Sequence, residues 1–347
     1  MSGLLGRPLR ALALSDGVAG HDRITLGVLT AITRRRPVEA RRLALRALGG
    51  GSRRWERLQA RLMPFDRFWP GRFDALDERE GTVAQLASER FDVVVATGPS
   101  ISAAAIALAR ATGARSIYFG FPKLPFVAEF DVLLRPDPAR VRFSQGVVVL
   151  RPSEIDPDGL PPARKGAERR KAALLLGGAT KHHTLSEADF AQLEALVRGL
   201  VDEGLEVVVS NSRRTPASGF DRFVAALKPA GDAVRIIDFR SAGLMSNLDA
   251  FAADAVIVTA DSMSMVAEAI AARRPTVVAR PDGYRVPGRD AAELAVHVRR
   301  GLAFDASLLD LARMGWTHRL DRLSILTEHP LDRLADVIER AFHTRPS

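Results

Sequence analysis

Short apolar runs alternate along the chain with longer stretches whose apolar positions recur every three to four residues. The runs PLRALALS, FDVVVATG, RSIYFG and DVLLRP are β-rich, and helical periodicity follows the first two, over about residues 20–34 and 100–112. Apolar runs of this length, each leading into a helix, are what a parallel sheet covered on both faces produces. The first half therefore reads as a doubly wound α/β unit.

After GVVVL the pattern breaks. The stretch RPSEIDPDGLPPARKGAERR is rich in Pro, Gly and charge and has no apolar period, so residues 156–170 read as an inter-domain linker. Beyond it the alternation restarts with KAALLLGG, a helix over 186–203, LEVVVSNS, a helix near Phe220, VRIIDF, AVIVTADS, a helix over 262–273 and PTVVARP. The expected domains are 1–155 and 171–325, with a C-terminal helix in 326–347 that packs back on the first.

Composition supports two ordered domains: 347 residues exceed what one core usually organises, and 47% of them are hydrophobic against 26% charged. There are no cysteines, which excludes disulfides, thiolate metal sites and cysteine nucleophiles and fits a reducing cytoplasm. No run approaches the roughly 18 to 20 apolar residues of a membrane span. The net charge of +9 is uneven, since residues 34–79 hold thirteen arginines against six acids. Within that stretch Arg53, Arg54, Arg57 and Arg61 accompany Trp55, Phe65, Phe68 and Trp69, a mixture suited to an anionic membrane surface. A solvated helix plus core residues is the plainer reading, and nucleic acid is not expected as a partner.

Ligands of open α/β sheets bind beyond the carboxyl ends of the strands, and four strand-end loops carry suitable chemistry. In the first, Ser15-Asp16-Gly17-Val18-Ala19-Gly20-His21, the helix N-terminus favours a neutral His21 base while Asp16 favours its protonated form. Both also suit a helix cap. In the second, Gly177 and Gly178 permit close backbone approach to phosphate and Lys181 adds charge; a plain strand–helix turn has the same composition. The third places Ser212, Arg213 and Arg214 at a strand end, where guanidinium grips phosphate or carboxylate in two-pronged fashion. In the fourth, Asp261, Ser262 and Ser264 open a helix on which Glu268 shares a face with Ser264. Its plain reading is an N-cap and a solvated glutamate.

Other motifs fail on context. Asp156-Pro157-Asp158 imitates a metal-binding D-x-D but lies in the Pro-rich segment and reads as a turn, so no metal site is expected. Gly98-Pro99-Ser100-Ile101-Ser102 lacks the G-x-S-x-G form of a nucleophile elbow, which leaves Ser100 as an N-cap. Neither half has the G-x-G-x-x-G of a dinucleotide site or a Walker motif.

In this order, SDGVAGH, GGATKHH, SNSRRTP and TADSMSMVAEA resemble the mitochondrial-fission Elongated-Mitochondria-like family over nearly the whole chain. Bacterial relatives of that family look like GT-B glycosyltransferases, whereas its plant members are known as fission adaptors. The resemblance implies two doubly wound, Rossmann-like domains facing a cleft, the GT-B type. A more distant similarity is to the MurG family of peptidoglycan glycosyltransferases, inverting enzymes that work on a membrane lipid. Residues 261–275 resemble its donor-site helix, with Glu268 at the position of the carboxylate that grips ribose, and Gly20-His21 is similar to the Gly-His of its N-terminal glycine loop. The glutamine-bearing loop of that family is absent, Lys181-His182-His183 standing instead.

The resemblances imply glycosyl transfer from a nucleotide sugar, which is substrate rather than cofactor, to a cell-envelope or lipid-linked acceptor. His21 is the expected base with Asp16 in reserve, and no metal is required. The rival expectation is a non-catalytic adaptor that recruits a protein partner at a membrane; a hydrolase or epimerase on the same fold is a third.

Overall fold

The computed structural model describes residues 7–47, 73–75, 86, 89–122, 129–137, 146–180, 183–242, 248–313 and 317–344. Lys181 and the basic, aromatic stretch from Arg53 to Trp69 lie outside the described residues. The chain divides into two compact units, one formed by Met1–Glu154 with Glu328–Ser347, the other by Ile155–Thr327.

The first unit contains β1 (Leu9–Ser15), α1 (Ala19–Thr33), β2 (Val38–Ala47), β3 (Phe73–Ala75), β4 (Val93–Thr97), α2 (Ser102–Thr112), β5 (Arg115–Phe119), β6 (Val132–Arg135) and β7 (Val147–Val148). Its sheet runs β3-β2-β1-β4-β5-β6-β7, parallel except where β3 meets β2. Alternate residues serve opposite faces, as the strand period of two requires. Leu12, Leu14, Val94 and Ala96 pack under α2, while Ala11, Ala13, Val93 and Val95 pack under α1.

The second unit contains β8 (Lys171–Leu175), α3 (Glu187–Asp202), β9 (Glu206–Ser210), α4 (Ala217–Leu227), β10 (Val234–Ile237), the short α5 (Phe239–Ala242) and α6 (Leu248–Phe251), β11 (Ala255–Thr259), α7 (Met263–Ala271), β12 (Thr276–Arg280), α8 (Gly288–Arg299), β13 (Ala303–Ser307) and α9 (Leu308–Arg313). Its sheet order is β10-β9-β8-β11-β12-β13, parallel throughout. The last helix, α10 (Pro330–Thr344), belongs to the first unit, where Leu331, Leu334 and Ile338 share a core with Ile24, Val28 and Ile32 of α1. Arg34 and Arg35 add ion pairs to Asp332 and Asp336.

The second sheet has the 3-2-1-4-5-6 order and the first has the same order with β7 added at its edge; the switch point lies beside the first strand of each unit. In the first unit it falls between β1 and β4, in the second between β8 and β11. The loops leaving those strands are thereby brought together, although 82 or more residues separate them in sequence.

Two segments differ from the sequence expectation. Residues 156–170 form no free linker but are bound to the second unit: the buried Asp254 carboxylate accepts the amides of Arg164, Arg170 and Lys171, and buried Arg274 donates to the Pro161 carbonyl. Within the basic stretch, residues 38–47 form strand β2, which the sequence reading did not assign. Its Leu43 and Leu45 are buried, and Arg41 and Arg42 are neutralised by Glu89 and Asp22.

Candidate functional site

In the first unit, β1 ends in a tight loop. Ser15 Oγ accepts from the Gly17 amide at 3.1 Å, Asp16 Oδ1 accepts from the Val18 amide at 3.2 Å, and Gly17 takes φ +77°. That geometry returns the first turn of α1 over the Asp16 side chain. His21 Nδ1 lies 2.9 Å from Asp16 Oδ2 and 3.0 Å from Oδ1. The partner loop after β4 closes the other side, Ser100 Oγ donating to Asp16 Oδ2 at 2.9 Å.

The Asp16 side chain is only 6% exposed, against 32% for His21. Burial pushes the Asp16 pKa up, but the hydrogen bonds from His21, Ser100 and Val18 together with the His21 charge outweigh it, so the carboxyl ends below its ordinary value. An ionised carboxylate only accepts, so Nδ1 must carry the proton and Nε2 is the basic nitrogen of the neutral ring. Val18 is the N-cap of α1 and makes no side-chain cap bond of its own; Asp16 accepts the Val18 amide at that helix start in addition to facing His21. Nor is Ser100 an N-cap: Ile101 holds that position in α2.

Gly98 is required by both space and conformation. It adopts φ +113°, and a Cβ there would stand 2.4 Å from Asp16 Oδ2 and 2.7 Å from His21 Nδ1. Only a bare backbone can pass so close to the pair.

In the second unit the loops after β8 and β11 meet in the same way. The Gly177 amide donates to Thr259 Oγ1 at 2.8 Å, and the Gly178 amide to Asp261 Oδ2 at 2.6 Å. Ala179 and Thr180 donate their amides to the Arg214 and His183 carbonyls. All four amides from 177 to 180 are thus taken within the protein, which corrects the expectation that they offer themselves to phosphate. The glycines serve close packing: a Cβ on Gly177 would lie 2.0 Å from Asp261 Oδ2, and one on Gly178 would lie 2.1 Å from the Arg214 carbonyl.

Ser212 faces inward, donating to the Gly177 carbonyl at 2.5 Å, so its hydroxyl ties two loops together. Thr215 donates to the same carbonyl. Arg213 and Arg214 are exposed, and Arg214 Nη2 stands 3.8 Å from Asp261 Oδ2. The Asp261 side chain is fully buried, and its Oδ1 has no hydrogen-bond partner among the described residues. Burial raises its pKa, opposed by the Gly178 amide, Thr259 and Arg214.

Ser262 occupies the N-cap position of α7 without a side-chain cap bond, Ser264 is half-buried in the first turn, and Glu268 is 7% exposed. Glu268 is therefore no solvated surface glutamate. Asp156 caps a 3-10 turn, its Oδ1 accepting the Asp158 amide.

Sequence reasoning gave no role to Thr259, Thr215, Tyr284 or Gly98. Tyr284 is buried, its ring 5.0 Å from that of His183, and burial with the charges of Asp261 and Asp290 pushes its pKa to about 12. Its phenol is neutral. The one signal for Gly98 was a glycine directly after an apolar strand.

Residues 19–303 match the model of the family described as Mitochondrial fission ELM1. The chain belongs to that family. No curated protein sequence matches it. Among solved structures, MurG of Acinetobacter baumannii is similar at 14% identity with a TM-score of 0.55, over 96% of this chain and 100% of that one. S. aureus MnaA, solved with UDP, is similar at 12% identity and 0.54, over 98% and 99%. The UDP-GlcNAc 2-epimerase of Neisseria meningitidis, solved with UDP-GlcNAc, follows at 10% and 0.51, over 98% and 100%. At these identities the likeness shows the fold: this ELM1-family chain has two Rossmann-like units of the GT-B type, shared by glycosyltransferases and related sugar-nucleotide enzymes.

Proposed function

We propose that this chain is a glycosyltransferase that moves a sugar from a nucleotide-sugar donor to a hydroxyl of a cell-envelope or lipid-linked acceptor. The observation that carries the reading is the His21–Asp16 pair, in which a buried carboxylate stands against Nδ1, as it would to leave Nε2 unprotonated. Nε2 takes the acceptor proton as the acceptor oxygen bonds to the anomeric carbon. The bond from that carbon to the diphosphate breaks, and the nucleoside diphosphate departs with the electron pair. Asp16 is then no reserve base but the group that stabilises the imidazolium.

Donor binding falls to the second unit. Arg213 and Arg214 meet the diphosphate with Lys181, the first turn of α7 at Ser262 and Ser264 adds its dipole, and Glu268 accepts from the ribose hydroxyls. No metal is invoked because cations and a helix terminus oppose the leaving-group charge. The stretch from Arg53 to Trp69 supports work at the inner face of a membrane, in the cytoplasm.

One observation favours the adaptor reading: the amides of 177–180 and the Ser212 hydroxyl are already paired within the protein, as in a site that no longer cradles phosphate. Calorimetric titration with a panel of nucleotides and nucleotide sugars separates the two. Binding of at least one supports the transferase; binding of none across the panel favours the adaptor.

A further inference from the structure

We propose that Ser100 is a positioning residue for His21, acting through Asp16: its hydroxyl fixes the rotation of the Asp16 carboxylate, and so holds the imidazole with Nδ1 protonated and Nε2 bare. The inference rests on the reading of His21 as the base.

Ser100 has the side chain of a helix cap and sits beside a helix start, yet it is not used there. The N-cap of α2 is Ile101, and Ser100 Oγ instead reaches Asp16, 84 residues earlier in the chain. What it completes is a balanced set of donors. Oδ1 of Asp16 receives the Val18 amide and one branch of His21 Nδ1, while Oδ2 receives the other branch and Ser100. Remove Ser100 and Oδ2 keeps only a shared donor. The carboxylate is then held from one side and can swing about its Cβ–Cγ bond.

The same segment builds the wall behind the pair. Gly98 passes so close that a Cβ would overlap both Asp16 and His21, and Ser100 follows two residues later at the end of the same strand loop. Wall and donor thus arrive on one short piece of backbone that leaves β4 at the switch point of the sheet. The arrangement answers a chemical need, because a free histidine side chain prefers its proton on Nε2, the nitrogen that must be bare to act as base. A carboxylate fixed on Nδ1 reverses that preference only while it stays in line. Ser100 is not itself a nucleophile in this geometry, since its hydroxyl proton points to Asp16 and its partner is not the imidazole.

The test uses the full chain and needs no substrate. Ring-nitrogen NMR correlations of the histidines are recorded, with the His21 signals assigned by their loss in His21→Gln. Wild type should show one tautomer, protonated on Nδ1. In Ser100→Ala the Nδ1 and Nε2 shifts should move toward each other as both tautomers populate, and Ser100→Thr, which keeps a hydroxyl, should restore the wild-type positions. With an active donor and acceptor pair, Ser100→Ala should lower kcat by about two- to tenfold, the worth of one net hydrogen bond, at unchanged donor KM. His21 nitrogen shifts identical in wild type and a folded Ser100→Ala protein would overturn the proposal. Should His21→Ala leave turnover intact, the function reading fails, and the tautomer result still decides the role of Ser100.

Discussion

His21 Nδ1 stands 2.9 Å from Oδ2 of Asp16, a contact made within one turn of chain but closed from above by a loop from another strand. In the proposed transfer the carboxylate would orient the ring and balance the charge that arises when Nε2 takes a proton. Asp16→Asn should therefore lower turnover by about a hundredfold or more while leaving nucleotide affinity unchanged, because an amide cannot stabilise imidazolium. Steady-state kinetics beside calorimetric titration of the nucleotide checks the separation. Equal losses in both would mean that the loop, not the proton transfer, had been damaged.

Gly98→Ala tests the same pair sterically. The new methyl meets a carboxylate and an imidazole held by hydrogen bonds, at a φ of +113° that L-residues rarely adopt. A loss of about 1–3 kcal/mol in unfolding free energy is expected, measured by denaturant titration. Gly113→Ala is the contrast. It also has positive φ, at +70°, but nothing stands within 4 Å of its Cβ, so only the backbone strain remains.

Asp261 predicts a pH dependence. Burial raises its folded pKa above the ordinary 3.8, so the folded state holds that proton more tightly than the unfolded chain does. Its contribution to stability is complete below the unfolded value and is lost as pH rises through the folded one. Asp261→Asn removes this dependence. The difference in Tm, variant minus wild type, should therefore become more positive between pH 4 and pH 8. A difference that stays flat or falls across that range would mean that Asp261 is ionised in the folded state at no cost.

Much of the fold was legible and less of the site. Strands such as β4 and β11 are continuous apolar runs, buried on both faces, and their pattern declares them. Strand β2 did not declare itself, because Arg41 and Arg42 break its apolar run and find their partners only in the folded unit, on Glu89 and Asp22. The strand-end loops were visible one at a time through their glycines and hydroxyls. Which loops meet was not, because the meeting of Asp16 with Ser100, or of Gly178 with Asp261, depends on strand order. The free phosphate-binding amides expected at Gly177 and Gly178 failed for the same reason: their partners come from β11 and its loop.

Glu268 tests the placement of the donor. Glu268→Ala should weaken nucleotide binding by about ten- to a hundredfold, the worth of hydrogen bonds to a charged group, with Glu268→Gln between. Because Glu268 is buried, the alanine variant should also melt at a lower temperature than wild type, as a solvated glutamate would not. A 2′,3′-dideoxyribose nucleotide should bind wild type as weakly as the parent nucleotide binds the alanine variant. Equal binding of both nucleotides by wild type would remove Glu268 from the donor site.

If His21 is the base of a glycosyl transfer, acceptor-dependent release of nucleoside diphosphate must depend on it. Wild-type protein is incubated with the best-binding nucleotide sugar, with and without cell-envelope lipid, beside His21→Ala under the same conditions. Release should need the lipid and fall by about a hundredfold or more in the variant, with nucleotide affinity preserved. Lipid-dependent release that is equal in the two proteins would contradict that role for His21.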